Sequence, residues 1–380
     1  MCMDLSSELI HSLLPLYMAV GLGASTLVIG LVEGVAESLA LVVKVASGVL
    51  SDWFRARKPL VVLGYGLAAV TKLAFPLAPT LGWVVGARFA DRVGKGIRGA
   101  PRDALIADIA PADLRGASFG LRQALDTVGG IGGPLLAVGA MAYFAGDFRA
   151  AFWVAVVPAA VCVAVLVFGV REPDRANDER GAARRPSWRD ARRLGSRYAY
   201  VVAVAAVLTL ARFSEAFLVL RAQNVGVPVA SAPWVMVAMS VVYAAVAYPA
   251  GAAADRGQGR RLLCAGFAAL IVADLVLAQA ASAAVVYAGA AIWGLHMGLT
   301  QGLLAALVAA AAPADLRGTA FGVFNLVCGI ALLIASALAG ALWDWVGPAT
   351  TFYAGAGLTG VGLLLFALGG RDVGKLASGA

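Results

Sequence analysis

Runs of about twenty apolar residues recur from one end of the chain to the other, parted by short polar or glycine-rich breaks. They predict helices over residues 1–20, 28–50, 60–78, 81–106, 117–141, 149–170, 199–222, 231–252, 262–280, 284–309, 319–342 and 350–369. Each run is long enough to cross a hydrocarbon core of about 30 Å. The expected fold class is therefore an all-α integral membrane protein with about 12 transmembrane helices. Because the count is even, both termini belong on one side.

Composition agrees with that pattern. The chain is 61% hydrophobic and 14% charged, against about 45–50% and about 25% in soluble proteins. Lipid must cover the excess. The net charge of +8 does not indicate nucleic acid, because the basic residues are neither contiguous nor interleaved with exposed aromatics. They sit instead at the ends of apolar runs, where Lys and Arg bias sets orientation. Alternate connections carry twenty Lys and Arg; the opposite set carries two, Arg149 and Arg221. This places both termini and the long central loop in the cytoplasm, in a multi-pass protein of the cell (inner) membrane. Cys2, Cys162, Cys264 and Cys328 are scattered without ligand spacing and read as inert thiols. Asp4, Glu8 and His11 in the first run do not suit a cleavable signal peptide. That run starts almost at Met1, so a start further upstream is expected.

The chain is an internal repeat. Residues 110–120 read APADLRGASFG and residues 312–322 read APADLRGTAFG, an offset of 202. Independently, Gly48-x3-Asp52-x4-Arg57-Lys58 returns as Gly251-x3-Asp255-x4-Arg260-Arg261, an offset of 203. Two unrelated motifs at nearly one offset mark a duplicated six-helix bundle. The expected organisation is a bundle over 1–170, an Arg-rich cytoplasmic linker over 171–198, a second bundle over 199–370 and a tail over 371–380. Such repeats commonly form transporters with a site near mid-membrane at the repeat interface.

At these residues the chain resembles the major facilitator superfamily, over essentially its whole length. The Gly48…Asp52…Arg57-Lys58 stretch is similar to the family's motif between spans 2 and 3, with Trp53 where a cation is usual; the second copy keeps Arg256. Arg92-x-x-Lys95-Gly96-x-x-Gly99-Ala100 is similar to the span-4 motif, with Lys95 where glutamine is usual. Gly129-x3-Gly133-Pro134 is similar to the span-5 motif of the antiporter branches, though Ala137 and Val138 replace expected glycines. The resemblance implies two pseudo-symmetric six-helix bundles and gating roles for Gly48, Asp52, Arg57, Lys58, Gly251, Asp255, Arg256, Arg260, Gly129, Gly133 and Pro134.

Ionisable groups inside a membrane are costly and functional by default. Asp4, Glu8 and His11 fall on one face of span 1, and Glu33 and Glu37 lie one turn apart in span 2. One reading makes Glu8, Glu33, Glu37 and Asp4 proton-coupling groups; the other pairs them with cations of span 4. There Arg88, Arg92 and Lys95 share a face, with Arg92 the modulator of a coupling acid and Arg88 and Lys95 facing the cavity. Arg122 and Asp126 form an i, i+4 pair. Spans 7, 10 and 11 add Arg212, Glu215, His296, Gln301 and Asn325 as substrate-cavity candidates, the resemblance placing spans 1, 4, 7 and 10 around the cavity.

No GxxxxGK[ST] occurs, so the driving force must be an ion gradient. Buried carboxylates suit protons. The expected function is secondary active transport by alternating access, most concretely proton-coupled export of a small organic molecule by a monomer. The alternatives are proton-coupled uptake of a nutrient or metal chelate, and a non-transporting scaffold or sensor on the same fold. No enzyme activity, cofactor or metal is expected, since His11 and His296 sit in opposite halves.

Overall fold

The computed structural model describes residues 1–54, 57–111, 114–170, 193–313 and 316–369. Most of the expected linker, the tail, and the side chains of Asp52 and Asp255 lie outside the described residues. Among those described, thirteen α-helices form twelve spans and no strand occurs. The first six are α1 (Cys2–Leu16), α2 (Thr26–Phe54), α3 (Arg57–Ala74), α4 (Leu81–Ile109), α5 (Arg115–Tyr143) and α6 (Phe148–Ala164). Next come α7 (Gly195–Ala211) and α8 (Ala216–Asn224), then α9 (Trp234–Ala253), α10 (Gly259–Ala278), α11 (Ala283–Ala311), α12 (Arg317–Trp345) and α13 (Pro348–Gly369).

Eleven of the twelve expected runs fall on these helices with shifts of a few residues. Span 7 differs, because Arg212–Glu215 breaks it into α7 and α8. The sequence there, Ala-Arg-Phe-Ser-Glu-Ala, carries no proline or glycine, so no breaker residue announces the break. Side-chain bonds replace the lost helical ones: Ser214 Oγ accepts from Ala216 N, and Ser214 N donates to Ser336 Oγ. Among the described residues, nine helical segments are long and apolar enough to cross a membrane by length and composition. The other three spans fall short for visible reasons. α1 has 15 residues before a π-turn, and the 18 residues of α3 hold Arg57, Lys58 and Lys72. The 29 residues of α4 carry a dense set of charges.

Chain ends of the helices are capped where unpaired backbone N–H groups demand it. Thr80 caps α4, and Asp147 Oδ1 accepts from Arg149 N and Ala150 N to start α6. The carboxylate of Asp344, far along the chain, accepts from Thr26 N and Leu27 N at 3.1 and 2.8 Å to start α2.

The packing forms two compact units, Met1–Leu13 with Val35–Pro186 and Leu14–Gly34 with Ser187–Ala380. The expected boundary kept residues 14–34 with the first six spans; by packing they go with the second unit. In the first, α3 lies along α4 and α6. In the second, α11 lies between α9 and α10, and α13 packs on α10 and α7. Within that unit the outer part of α2 meets α12 at small residues: Gly30 and Gly34 face Leu333 and Ser336, and Gly340 faces Thr26 and Leu27. A β-carbon on Gly340 would come within 2.6 Å of the Thr26 carbonyl oxygen. This is small-xxx-small packing, which lets helix backbones touch in lipid, where apolar burial alone drives little association. Large apolar side chains stay outward on many helices, Leu63, Val70 and Val157 among them.

Candidate functional site

The first unit buries a network of charges. Glu37 on α2 receives Arg92 Nη1 at 3.0 Å, Arg88 Nη2 at 3.7 Å and Lys95 Nζ at 3.9 Å, all from one face of α4. The helical spacing i, i+4, i+7 sets those three cations in one row, which is why a single carboxylate one helix away can meet them all. Arg88 Nη2 also lies 2.9 Å from His11 Nδ1 on α1, within hydrogen-bond distance. Lys72 on α3 meets Asp91 Oδ1 at 2.6 Å, and both side chains are almost wholly buried. Thr71 Oγ1, which donates to the Ala68 carbonyl at 2.7 Å, lies 3.5 Å from Asp91 Oδ1, and Arg92 Nε lies 3.8 Å from the second oxygen. α4 thus presents Arg88, Arg92 and Lys95 to α2 while Asp91 turns to α3. The expected pairing of span-2 carboxylates with span-4 cations is present at Glu37. Lys72–Asp91 could not be read from spacing, because the two residues lie on different helices and meet only when α3 packs along α4.

Glu8 is different. It is half-buried on α1 and makes no hydrogen bond or ion pair among the described residues. Its position follows from Gly133: a β-carbon there would fall 2.5 Å from Glu8 Cβ and 2.9 Å from the Leu5 carbonyl. Gly129 does the same one turn earlier, where a β-carbon would fall 2.5 Å from Asp4 Cβ. Only glycine admits such approach, so the Gly129-x3-Gly133-Pro134 stretch seats the acidic face of α1 directly on α5. Asp4 meets the Met1 amino group at 2.9 Å. Glu33 is fully buried and belongs to the second unit.

Arg122 bonds Asp103 on α4 at 2.9 Å and approaches Asp126 only to 3.8 Å. The i, i+4 pair expected within α5 is thus secondary to a bond between helices.

The repeated loop motif makes comparable contacts in both units. Arg57 donates to the Ala104 carbonyl, and Lys58 Nζ to Val167 O at 3.2 Å near the end of span 6. In the second unit Arg260 donates to Ala367 O at 3.2 Å, near the end of span 12. Cations there complement the carbonyl-rich helix end. Arg256 lies in a π-turn whose Gly257 has φ of 82°, and Gly251 has open space on its α-carbon. A β-carbon on Gly48 would fall 3.3 Å from Ala100 Cβ.

In the second unit, Arg212 and Glu215 stand half-buried in the break of span 7. His296 is buried and its Nδ1 bonds the Gly266 carbonyl at 2.9 Å, while its Nε2 has no partner among the described residues. Gln301 and Asn325 are half-buried and make no side-chain hydrogen bond among the described residues. Phe213 stacks against Phe217, Trp293 and Phe352 at centroid distances of 5.3, 5.3 and 5.5 Å. A buried acid absent from the candidate set, Asp274 on α10, lies close to this group. Its signal was a lone acid in an otherwise apolar run. Among the described residues no group of His, Cys, Asp and Glu has metal-ligand geometry.

Comparison with known proteins agrees with this architecture. The chain is 32% identical over 376 residues to an uncharacterized MFS-type transporter of Methanocaldococcus jannaschii, covering 95% of this chain and 91% of that one. Its fold is similar to a mutant of the nucleoside transporter NupG, with TM-score 0.78, 15% identity and coverage of 97% and 98%. It is also similar to a mutant of the peptide transporter POT in complex with sulfate, with TM-score 0.79, 16% identity and coverage of 99% and 93%. The model of the Major Facilitator Superfamily matches twice, over residues 1–222 and 213–377. The fold is two six-helix repeats, and the chain belongs to the Major Facilitator Superfamily as a multi-pass membrane transporter.

Proposed function

We propose that this transporter works by alternating access and exports a small organic molecule in exchange for protons, as a monomer in the cell membrane with both termini in the cytoplasm. The observation that carries the proton assignment is Glu8. It is a carboxylate inside span 1, seated on Gly133, with no cation within ion-pairing distance among the described residues. A membrane-buried acid that already neutralises cations, as Glu37 does, gains little from a proton. An acid that forms no direct ion pair, with Lys95 acting on it only at longer range, is the better place for one. The cations Arg88, Arg92 and Lys95 supply the polar wall of the first unit, and Arg212, Glu215, His296, Gln301 and Asn325 supply polar anchors of the second. The loop cations Arg57, Lys58 and Arg260, and the sequence partners Asp52 and Asp255, support a gating role at the helix ends. The outward apolar side chains suit a lipid surround.

The test is a proteoliposome flux assay. A thermal-shift screen of the purified protein against metabolites and drugs first finds a binding compound. A pH step, acidic outside, should then drive that compound out against its gradient, and a sodium step at equal pH should not. Flux that ignores the pH step removes the proton assignment, and no flux with any bound compound favours a scaffold.

Orientation has its own test. A reporter fused after Ala380 and one inserted near Ala183 should both read cytoplasmic, given the excess of Lys and Arg on that set of connections. A signal from the opposite side at either place overturns the orientation.

A further inference from the structure

We infer that Asp274 is a proton-binding site of the second unit, facing the break between α7 and α8. Its side chain is fully buried, and neither carboxylate oxygen has a hydrogen-bond partner among the described residues. Holding an ionised carboxylate dry and unpaired costs several kcal/mol, whereas the protonated acid is far cheaper to bury. An ion pair would serve as well, but among the described residues no element around Asp274 offers one. α11, packed on α10, carries Tyr287 and His296, and the histidine's Nδ1 is committed to Gly266. α13, packed on its other side, carries Tyr353 as its one titratable group. The break itself carries Arg212 and Glu215, neither of which forms an ion pair with Asp274 among the described residues. Arg260 and Arg261 sit at the opposite end of α10, roughly 20 Å away along the helix, as do Asp255 and Arg256 before it.

The carboxyl is aimed. A β-carbon on Gly355 of α13 would fall 2.7 Å from Asp274 Oδ2, 3.2 Å from the Ala211 carbonyl oxygen and 3.2 Å from the Phe213 ring. Ala211 is the last residue of α7. Its carbonyl has lost the helical N–H four residues on, because the chain leaves helical geometry at Arg212 (φ −103°, ψ 89°). The glycine therefore leaves room where a carboxyl oxygen, a freed carbonyl and an aromatic ring converge. Two further buried polar atoms on α11, Trp293 Nε1 and His296 Nε2, also lack partners among the described residues, and Trp293 stacks on the same Phe213. Irregular backbone at membrane depth is tolerated where it lines protein or a water-filled cavity. Movement of Arg212–Glu215 would admit water to Asp274 and let its proton leave; return of Phe213 would shut it in. The site so described exchanges H+ between water and one carboxyl oxygen, with no other bond made or broken.

Occupancy by a proton follows from the packing alone; a part in driving transport rests on the proton-coupled reading proposed above. The two can fail separately. Infrared difference spectra of the full-length protein in liposomes, recorded across a pH step, should show one protonated-carboxyl band from a site shielded from bulk exchange. Asp274→Asn should remove it, and Asp274→Glu should move it without loss. If Asp274→Asn does not fold, aspartate-specific 13C labelling of the unaltered protein should shift the band. Retention of the band in Asp274→Asn, its failure to shift on labelling, or its absence in the unaltered protein overturns the proposal. So does a band that disappears on adding sodium at fixed pH, which would make the site a sodium site. A band present as expected together with flux indifferent to pH would leave the site standing and remove only its role in coupling.

Discussion

Lys72→Met is expected to lower the stability of the first unit by about 3–5 kcal/mol, the usual cost of leaving one member of a buried ion pair uncompensated. Lys72 Nζ and Asp91 Oδ1 are 2.6 Å apart, with side chains 1% and 4% exposed. Without the ammonium, Asp91 keeps only Thr71 Oγ1 at 3.5 Å, whose proton is directed to the Ala68 carbonyl at 2.7 Å, and the more distant Arg92 Nε at 3.8 Å. Neither replaces a direct charged hydrogen bond in a site shut off from water. The double variant Lys72→Met/Asp91→Leu removes both charges at once and should regain most of the loss, since an apolar pair of similar volume can be as stable as a buried ion pair. Thermal unfolding in detergent, read by size-exclusion profile after heating, measures both. A single variant as stable as the unaltered protein shows that the pair contributes nothing net to folding. A double variant that is stable but does not transport moves the pair from scaffold to mechanism.

The helical plan was legible because membrane crossing needs a fixed length of apolar sequence, which nine segments among the described residues reach in full, and because the charged α3 and α4 and the short α1 still read as helices between them. The repeat was legible for the same reason that it works: Arg57 with Lys58 and Arg260 meet carbonyls near the ends of neighbouring helices in each unit, so both copies keep their cations. The span-4 stripe was legible in spacing alone, because three cations at i, i+4, i+7 must share a face. What the stripe would meet was not. Glu33 and Glu37 look alike in sequence, one turn apart, yet Glu37 meets all three cations while Glu33 belongs to the other unit. That difference depends on helix rotation and on where α2 changes its packing partners, which periodicity does not encode. The break at Arg212–Glu215 was hidden more deeply. No proline or glycine marks it; the bonds to Ser214 and Ser336 that satisfy its backbone come from the break itself and from α12. Asp274 was visible as a lone acid in an apolar run, but its isolation is a property of α11 and α13, not of its own sequence neighbours.

Glu8→Gln is expected to abolish transport driven by a pH gradient while leaving substrate binding intact and independent of pH. The glutamine mimics the protonated acid permanently and fits the same space on Gly133, so the contact between α1 and α5 survives and the fold with it. Glu37→Gln is expected to behave otherwise. It leaves Arg88, Arg92 and Lys95, set 3.0–3.9 Å from the lost carboxylate oxygens, as three like charges on one helix face without the anion between them. Stability and transport should then fall together, whatever the pH. The contrast separates an acid that carries protons from an acid that holds cations, although both lie in membrane spans of the same unit. Glu215→Gln and Gln301→Ala should shift affinity or specificity and leave proton movement unchanged. Three measurements decide: substrate binding at two pH values, proton release on adding substrate, and thermal unfolding of each variant. Should Glu8→Gln release protons as the unaltered protein does while Glu215→Gln abolishes release, proton handling belongs to the second unit. Should Glu37→Gln keep full stability and lose only pH-dependent binding, the carboxylate surrounded by cations is the carrier, and it must shed those cations during the cycle to accept a proton.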